Sequence, residues 1–175
     1  MIGENLLLRA PEPADIDIIF RWENDMRIWQ ISNTLVPYSR FAVEQFVLNT
    51  DNDIFSTKQL RLMIDLHSAQ PDTATVGIID LFDFDPHHKR AGVGILIDEG
   101  SRQKGFATEA MKLLINYGFN TLNLHQLYCT IEQDNLESIR LFTRVGFSNC
   151  GHKREWLYRN GQWTDVYMFQ LLNNS

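Results

Sequence analysis

The sequence predicts a single α/β (α+β) domain over residues 1–175, with a mixed, mostly antiparallel sheet and flanking helices. Strand-like and helix-like stretches follow the order β-α-α-β-β-β-α-β-α-β-β, which gives a sheet of about six or seven strands. The strand–helix–strand unit around residues 92–132 predicts a right-handed parallel crossover. Near the end of the chain, Asn160-Gly161 is typical of a type I′ turn between two strands.

The first third of the chain is predicted to contain one strand and two helices. Leu6 to Arg9 is an apolar run that two nearby prolines end. Asp15 can begin a helix that extends to about Asn24, and a second short helix is expected from Ser39 to about Asn49. Between these helices, Trp29 to Tyr38 shows no clear period.

Three extended stretches in the middle of the chain alternate in polarity and are bounded by turn residues, as expected for antiparallel strands. They are Lys58 to Leu66, Thr75 to Asp83 and Lys89 to Ile97.

The second half predicts the crossover helix and the final hairpin. Phe106 to Asn120 has its apolar residues near one helical face, and Leu127 to Glu132 is the next strand. A helix begins at Asn135, which is a good N-cap residue. The two strands of the final hairpin are His152 to Tyr158 and Gln162 to Leu172.

Composition excludes several classes of function. The net charge of −6 disfavours nucleic acid as a partner. No stretch is apolar enough to span a membrane, and the N-terminus does not resemble a secretory signal, so no membrane partner is expected. The two cysteines, Cys129 and Cys150, are typical of a cytoplasmic protein and not of a disulfide framework.

The segment Arg102-Gln103-Lys104-Gly105-Phe106-Ala107 predicts an anion site. It lies between a strand and the start of a helix, where backbone N–H groups lack intrahelical acceptors and the helix dipole is positive. Gly105 allows the backbone to approach a phosphate closely. This pattern, [Arg/Gln]-x-x-Gly-x-[Gly/Ala], is not a nucleotide-binding P-loop, because no Gly-Lys-[Ser/Thr] follows.

A second motif follows about thirty residues later, from Asp134 to Phe147. Ser138 lies three residues after Asn135 on the same helical face. Ile139 and Phe142 form an apolar i, i+3 pair, and Gly146 is a typical C-terminal stop.

Together the two motifs resemble those of the GNAT acetyltransferase superfamily, in the branch that contains spermidine and ribosomal-protein N-acetyltransferases. The resemblance implies a GNAT fold, with a central splayed pair of parallel strands that holds acetyl-CoA. It implies backbone contacts from Ile95 and Ile97 to the pantetheine arm. The other cofactor-binding residues that it implies are Arg102, Gln103, Lys104, Gly105, Phe106, Ala107, Thr108, Asn135, Ser138 and Phe142.

Acetyl transfer to an amine requires a neutral nitrogen, a stabilised oxyanion and a leaving thiolate. Spermidine acetyltransferases have carboxylates at the positions of Asp80 and Asp83. Asp80 is our first choice for binding the amine and accepting its proton through water. By alternation Asp80 shares a strand face with Phe82, whereas Asp83 lies on the other face unless the strand bends.

Two positions depart from the related enzymes. They have a tyrosine where this chain has Phe142, and that tyrosine is the usual acid for the thiolate; many also have a glutamate where this chain has Gly92. Either another group replaces the acid or the thiolate leaves unaided. Three tyrosines could in principle reach the site, although the sequence favours a packing role for each: Tyr128, Tyr158 and Tyr167.

The resemblance also places acceptor-binding residues. His88, in the turn after the third strand, is expected at the rim of the acceptor site. A metal site is not expected, because adjacent histidines diverge and no third ligand is suitably spaced. Trp29 and its neighbours Trp22 and Tyr38 belong to a region that borders the acceptor cleft in the family. The segment from Ile31 to Val36 lacks the acidic residues of the spermidine enzymes, which weakens spermidine as the acceptor.

The sequence therefore predicts an acetyl-CoA-dependent N-acetyltransferase acting on a primary amine, possibly a polyamine or another small cationic amine. The alternatives are an enzyme that acetylates a protein N-terminus or an amino sugar nucleotide, and a catalytically weak acyl-CoA-binding sensor. A homodimer is a further possibility.

Overall fold

The computed structural model describes residues 1–32, 34–48, 53–67, 75–159 and 161–173. The chain divides into two compact units, one formed by Met1–Arg9 with Ile54–Ser175 and the other by Ala10–Asp53.

The larger unit is built on one seven-stranded sheet with the order β1-β2-β3-β4-β5-β7-β6. Neighbouring strands are antiparallel except for β4 and β5, which are parallel. This confirms the predicted mixed, mostly antiparallel sheet and its central parallel pair. The strands are β1 (Leu6–Arg9), β2 (Leu60–Leu66), β3 (Thr75–Asp85), β4 (Arg90–Ile97), β5 (Gln126–Glu132), β6 (Ser148–Arg159) and β7 (Gln162–Leu172).

Helices of both units lie close to their predicted positions, with two additions. The smaller unit contains α1 (Ile16–Glu23), α2 (Met26–Ser32) and α3 (Arg40–Leu48). The larger unit contains α4 (Ile54–Thr57), α5 (Phe106–Asn120) and α6 (Leu136–Arg144).

Helices α2 and α4 were not expected from the sequence; with seven and four residues they are the shortest α-helices in the described part of the chain and offer the fewest positions to show a helical period. Helix α2 includes the start of the stretch that shows no clear period. The predicted hairpin turn includes Asn160, which lies outside the described residues, and the following Gly161 has the positive φ of 81° that a tight turn favours.

The core of the larger unit lies between α5, α6 and one face of the sheet. Ile79, Leu114 and Leu127 are all inaccessible to solvent and belong to one continuous apolar cluster. Alternation along β5 directs Leu127, Cys129 and Ile131 into this cluster, so Gln126 and Tyr128 lie on the opposite face. The two faces of the sheet therefore carry different residues: the apolar core on one side, and the polar residues of β3 and β5 on the other.

Candidate functional site

The two parallel strands at the centre of the sheet separate after a short contact. Only Arg90, Ala91 and Gly92 of β4 pair with β5, opposite Gln126, Leu127 and Tyr128. From Val93 onward β4 has no partner on this side among the described residues. The separation opens a gap whose narrow end lies at Gly92 and Tyr128.

The backbone groups of Ile95 and Ile97 point toward this gap. Ile97 lies opposite Gly77, and the next amide, Asp98 N–H, donates to the carbonyl of Val76 at 2.8 Å. That bond makes Gly77 and Ile97 a non-hydrogen-bonded pair, so Ile97 and Ile95 direct their own N–H and C=O groups away from β3. This is the orientation that a bound extended chain requires, although contact with a cofactor stays a prediction.

The turn before α5 presents a row of backbone N–H groups. Gln103 and Gly105 both have positive φ, 61° and 86°, and this alternation curves the backbone into a concave turn. Among the described residues, the N–H groups of Gln103 through Ala107 have no acceptor. These N–H donors and the positive end of the α5 dipole together form a site that is chemically suited to phosphate oxygens.

The basic side chains of this turn are bonded to nearby carbonyl groups. Arg102 Nε donates to the carbonyl of Ile97 at 3.1 Å, and Lys104 Nζ donates to the carbonyl of Gly100 at 2.9 Å. Both positive charges are thereby held beside the row of N–H groups. They add electrostatic attraction for an anion, while the backbone supplies the directional bonds.

The second predicted motif begins α6 as expected. The side chain of Asn135 accepts a hydrogen bond from the N–H of Ser138 at 3.1 Å, which confirms the N-cap. Phe142 is only 4% exposed and packs edge-to-face on Phe147, with ring centroids 5.0 Å apart. Phe142 is therefore a core residue in this structure, and its contact with the cofactor, like those of Asn135 and Ser138, stays a prediction.

The three aspartates of β3 have different partners. Asp80 receives both hydrogen bonds of Arg61, at 2.9 and 3.1 Å. Asp85 forms an ion pair with Arg90 at 3.3 Å and accepts a bond from the N–H of His88, which is the main reason that its pKa is lowered.

Asp83 differs from its two neighbours because its bonded partner is a neutral hydroxyl. Tyr128 Oη donates to Asp83 Oδ2 at 3.3 Å, and no cationic side chain among the described residues forms an ion pair with this carboxylate. Burial raises the pKa of Tyr128, and the negative charge of Asp83 raises it further. Asp83 is thus an exposed carboxylate that forms no ion pair among the described residues, although Lys58 and Arg90 line the same pocket.

A bend in β3 brings Asp83 and Tyr128 together. The register shifts between Phe82 and Asp85, and Asp83 has a left-handed φ of 48°. In a regular strand Asp83 would point away from the face on which Tyr128 lies. The sequence predicts that Asp83 lies on the face opposite Phe82 unless the strand bends. The strand does bend here, so Asp83 can reach the face that carries Phe82 and Tyr128.

Phe82 occupies the space above Gly92. A Cβ built on Gly92 would overlap the Phe82 ring, whereas one built on Gly94 would meet it only at 3.8 Å. Phe82 and Tyr128 also pack edge-to-face, with ring centroids 6.1 Å apart. The carboxylate that many related enzymes have at this position could not fit beneath this ring.

A pocket of about 820 Å³ lies beside the narrow end of the gap, on the face of the sheet that carries Tyr128. Asp83 and Tyr128 contribute to its wall. The remaining lining residues are Lys58, Phe84, Asp85, Pro86, His87, Arg90, Gln126 and Met168.

Other predicted site residues lie at the margin or elsewhere. His88 is exposed and packs edge-to-face on His87, and it is His87 that lines the pocket. Trp29 belongs to the smaller unit, where its indole N–H donates to the carbonyl of Glu23 at 2.7 Å. The described residues contain no cluster of metal-ligating side chains, and no described helix is long and apolar enough to cross a membrane.

The sequence alone did not predict which side chains form ion pairs or hydrogen bonds with the aspartates of β3. Nothing in the sequence marks Arg61 as the partner of Asp80, and the sequence suggests Tyr128 as an acid for the thiolate or as a packing residue. Alternation could have placed Tyr128 opposite the apolar residues of β5, but only the bend at Asp83 joins the two side chains.

Comparison with known proteins identifies the family of this chain. The profile of the family described as "Acetyltransferase (GNAT) domain" matches residues 5–148. An uncharacterized N-acetyltransferase, p20, of Bacillus licheniformis is 30% identical over 170 residues, which are 97% of this chain and 93% of that protein. The spermidine N(1)-acetyltransferase of Escherichia coli K12 is 31% identical over 167 residues, covering 94% of this chain and 84% of the relative.

A solved structure agrees over a similar span. The spermidine N-acetyltransferase of Vibrio cholerae, crystallised with CoA and spermine, superposes with a TM-score of 0.85 at 25% identity. The alignment covers 97% of this chain and 96% of that one. These matches confirm the fold class that the sequence predicts.

Proposed function

Because the chain belongs to the GNAT acetyltransferase family and is an acetyl-CoA-dependent N-acetyltransferase, we propose that its acceptor is a small cationic primary amine, with polyamines as the first candidates. The observation that carries this proposal is Asp83. It is a carboxylate without a cationic partner among the described residues, and it lines a pocket at the narrow end of the strand gap.

Acetyl-CoA supplies the activated acetyl thioester. The protein has backbone and side-chain groups suited to each part of this cofactor, from the pyrophosphate to the pantetheine arm. The free N–H groups from Gln103 to Ala107, continued by Thr108 at the start of α5, would hold the pyrophosphate. The backbone of Ile95 and Ile97 would hold the pantetheine arm, and Asn135 and Ser138 would border it.

The length of the gap supports this arrangement. From Ile97 to Gly92 the strand extends over five residues, or about 17 Å at the usual rise of a β-strand. This span is comparable to an extended pantetheine arm. A phosphate at the α5 turn would therefore leave the thioester near Gly92 and Tyr128, beside the pocket that Asp83 lines.

The acceptor is proposed from charge and from the relatives. An alkylammonium ion would compensate the charge of Asp83, and the pocket has room for a flexible chain. The relative from E. coli is named for spermidine, and the V. cholerae structure contains spermine. The segment Ile31 to Val36 nevertheless lacks acidic residues, so we propose the wider class of cationic amines.

An alkylammonium ion must lose a proton before it can attack the thioester, because its pKa is near that of lysine, about 10.4. Asp80 is the proton acceptor that the sequence suggests. Arg61 donates one hydrogen bond to each carboxylate oxygen of Asp80, so a proton taken up by Asp80 would compete with this ion pair. The role of Asp80 therefore remains a prediction that a pH profile can decide.

Organisation and location are proposals as well. We propose that residues 1–175 act as one catalytic domain and that the protein is cytoplasmic, as its two free cysteines suggest. We propose a homodimer and no nucleic-acid partner. A V. cholerae spermidine N-acetyltransferase has a dodecameric structure, so light scattering after size-exclusion chromatography would distinguish the two assemblies.

A catalytically weak acyl-CoA-binding sensor is the second candidate. It is favoured by Phe142, which has no hydroxyl to protonate a thiolate, and by Gly92, which has no carboxylate. Such a sensor would bind acetyl-CoA in the same gap and release little CoA with any amine.

The test is a thiol-release assay with a panel of acceptors. The panel contains spermidine, spermine, putrescine, simple monoamines, peptides with free N-termini and an amino sugar nucleotide. We expect CoA release with the cationic amines and little with the sugar nucleotide. Preference for a peptide or sugar nucleotide would overturn the acceptor class, and tight acetyl-CoA binding without turnover would favour the sensor.

A further inference from the structure

We propose that Tyr128 is a positioning residue for the acceptor amine: its hydroxyl holds the Asp83 carboxylate toward the pocket, where the acceptor's ammonium group binds. This inference rests on the proposed function and deepens it. It assigns a role to a side chain on the sheet face opposite the core, at the last residue pair before the central strands separate.

The first step is the selection of Asp83 among the three aspartates of β3. Arg61 compensates Asp80, and Arg90 compensates Asp85. Within the described part of the chain, Asp83 has no such partner. An incoming ammonium ion can therefore pair with Asp83 without breaking an existing ion pair, although Lys58 and Arg90 in the same pocket reduce the attraction.

The second step is the orientation of that carboxylate. Asp83 follows a break in the strand register and is exposed, so backbone pairing alone does not fix its side chain. The Tyr128 hydroxyl contacts Oδ2 at 3.3 Å, longer than the usual O–H···O distance of about 2.8 Å. This bond holds Oδ2 at the Tyr128 hydroxyl and leaves Oδ1 available to an ammonium N–H.

The third step is the placement of Tyr128 itself. Its backbone lies opposite Gly92, and its ring packs edge-to-face on Phe82, whose ring covers Gly92. The Phe82 ring thus restricts the movement of the half-buried tyrosine ring. A hydroxyl on a fixed ring loses little conformational freedom when it forms a hydrogen bond, which suits a positioning role.

The charges around the pair allow Tyr128 to act as a donor. The ionisable groups that line the same pocket are Lys58, Asp85, His87 and Arg90. Burial and the charge of Asp83 raise the pKa of Tyr128 from its usual range, so the hydroxyl keeps its proton at neutral pH. Asp83 therefore accepts a hydrogen bond from a neutral partner and keeps its full negative charge for the ammonium ion.

The test is Tyr128→Phe, assayed by steady-state kinetics with the best amine of the panel. Removal of the hydroxyl leaves the ring and its packing on Phe82. We expect the KM for the amine to rise about tenfold, the loss of roughly one charge-assisted hydrogen bond. The KM for acetyl-CoA and the melting temperature should stay unchanged. The matched control is Tyr117→Phe, a half-buried tyrosine of α5, which should change neither KM.

A double-mutant cycle with Asp83→Asn shows whether Tyr128 acts through Asp83. Asp83→Asn alone should raise the KM for the amine strongly, because it removes the charge at nearly constant shape. Adding Tyr128→Phe to that variant should then cause little further loss. Additive effects would mean that Tyr128 does not act through the carboxylate and would overturn the inference.

The outcomes also separate this inference from the proposed function. If wild-type protein acetylates cationic amines and Tyr128→Phe leaves the KM for the amine unchanged, only the role of Tyr128 is overturned. If wild-type protein turns over no cationic amine, the proposed acceptor class fails and the role of Tyr128 fails with it. If the KM for acetyl-CoA rises as much as the KM for the amine, Tyr128 contributes to cofactor binding in the strand gap, and its proposed role with the acceptor is overturned.

Discussion

The turn before α5 and the corner formed by β3, β4 and β5 lie at opposite ends of the same strand gap, and they are built by different means. The turn owes its properties to consecutive residues, because the free N–H groups and the left-handed Gly105 follow from local backbone geometry. The corner depends on side chains from different strands: Phe82 covers Gly92, Tyr128 contacts Asp83, and Arg61 compensates Asp80.

This difference teaches which changes each region can tolerate. In the turn, the space around Gly105 is open, so its backbone conformation is the critical feature. In the corner, the backbone conformation of Gly92 would permit a larger residue, but the neighbouring Phe82 ring leaves no space for its side chain. Substitutions in the turn should therefore weaken ligand binding. Substitutions in the corner should reduce stability through packing or change the binding of the amine through charge.

The largest effect is expected for Gly105→Val in the turn. Valine strongly disfavours the φ of 86°, and its side chain would stand where a phosphate approaches the backbone. We expect the dissociation constant for CoA, measured by calorimetry, to rise about a hundredfold, which corresponds to about 2.7 kcal/mol.

The matched control is Gly161→Val, because Gly161 has a similar φ of 81° and equally open surroundings in the β6–β7 turn. Both variants should lose a similar amount of stability through backbone strain, about 1–2 kcal/mol. Only Gly105→Val should lose CoA affinity. Wild-type affinity in Gly105→Val would show that the phosphates bind elsewhere.

The next effect concerns packing in the corner. Gly92→Ala would place a Cβ inside the Phe82 ring, and we expect the free energy of unfolding to fall by about 2 kcal/mol. Urea denaturation measures this loss. Replacing Phe82 with valine in the same chain should restore most of the stability, because the smaller side chain vacates the space above residue 92.

Gly94→Ala provides the comparison within the same strand, since its new Cβ would meet Phe82 at an ordinary 3.8 Å. This variant should be nearly neutral or slightly stabilising. Equal losses at residues 92 and 94 would show that β4 tolerates no side chain in this region for reasons unrelated to Phe82.

The same contrast explains how much could be predicted from the sequence. The strands, the crossover helix, the Asn135 cap and the turn before α5 all depend on short stretches, and each lies where its residues indicate. The corner was only partly predicted because it depends on a register shift after Phe82 and on pairing between distant strands. Alternation is a rule for regular strands, so it could not assign a face to Asp83.

A smaller effect should distinguish Asp80 from Asp83. With both oxygens held by Arg61, Asp80 should act mainly by fixing that guanidinium. We expect Asp80→Asn to reduce kcat/KM for the amine about tenfold, and by the same factor at neutral pH and near pH 10. A loss that shrinks at high pH, where free amine is abundant, would restore Asp80 as the proton acceptor.

The smallest effect is expected for Phe142→Tyr, on the core side of the gap. The change supplies the hydroxyl that related enzymes have here, so we expect kcat to be retained and to increase about twofold. Phe142 is almost fully buried against Phe147, and an unsatisfied hydroxyl there would cost about 1 kcal/mol of stability. Steady-state kinetics and urea denaturation of the same preparation separate the two effects. Lost turnover with unchanged stability would instead mean that the phenylalanine ring shapes the thioester end of the gap, and that this chain releases the thiolate without an acid at this position.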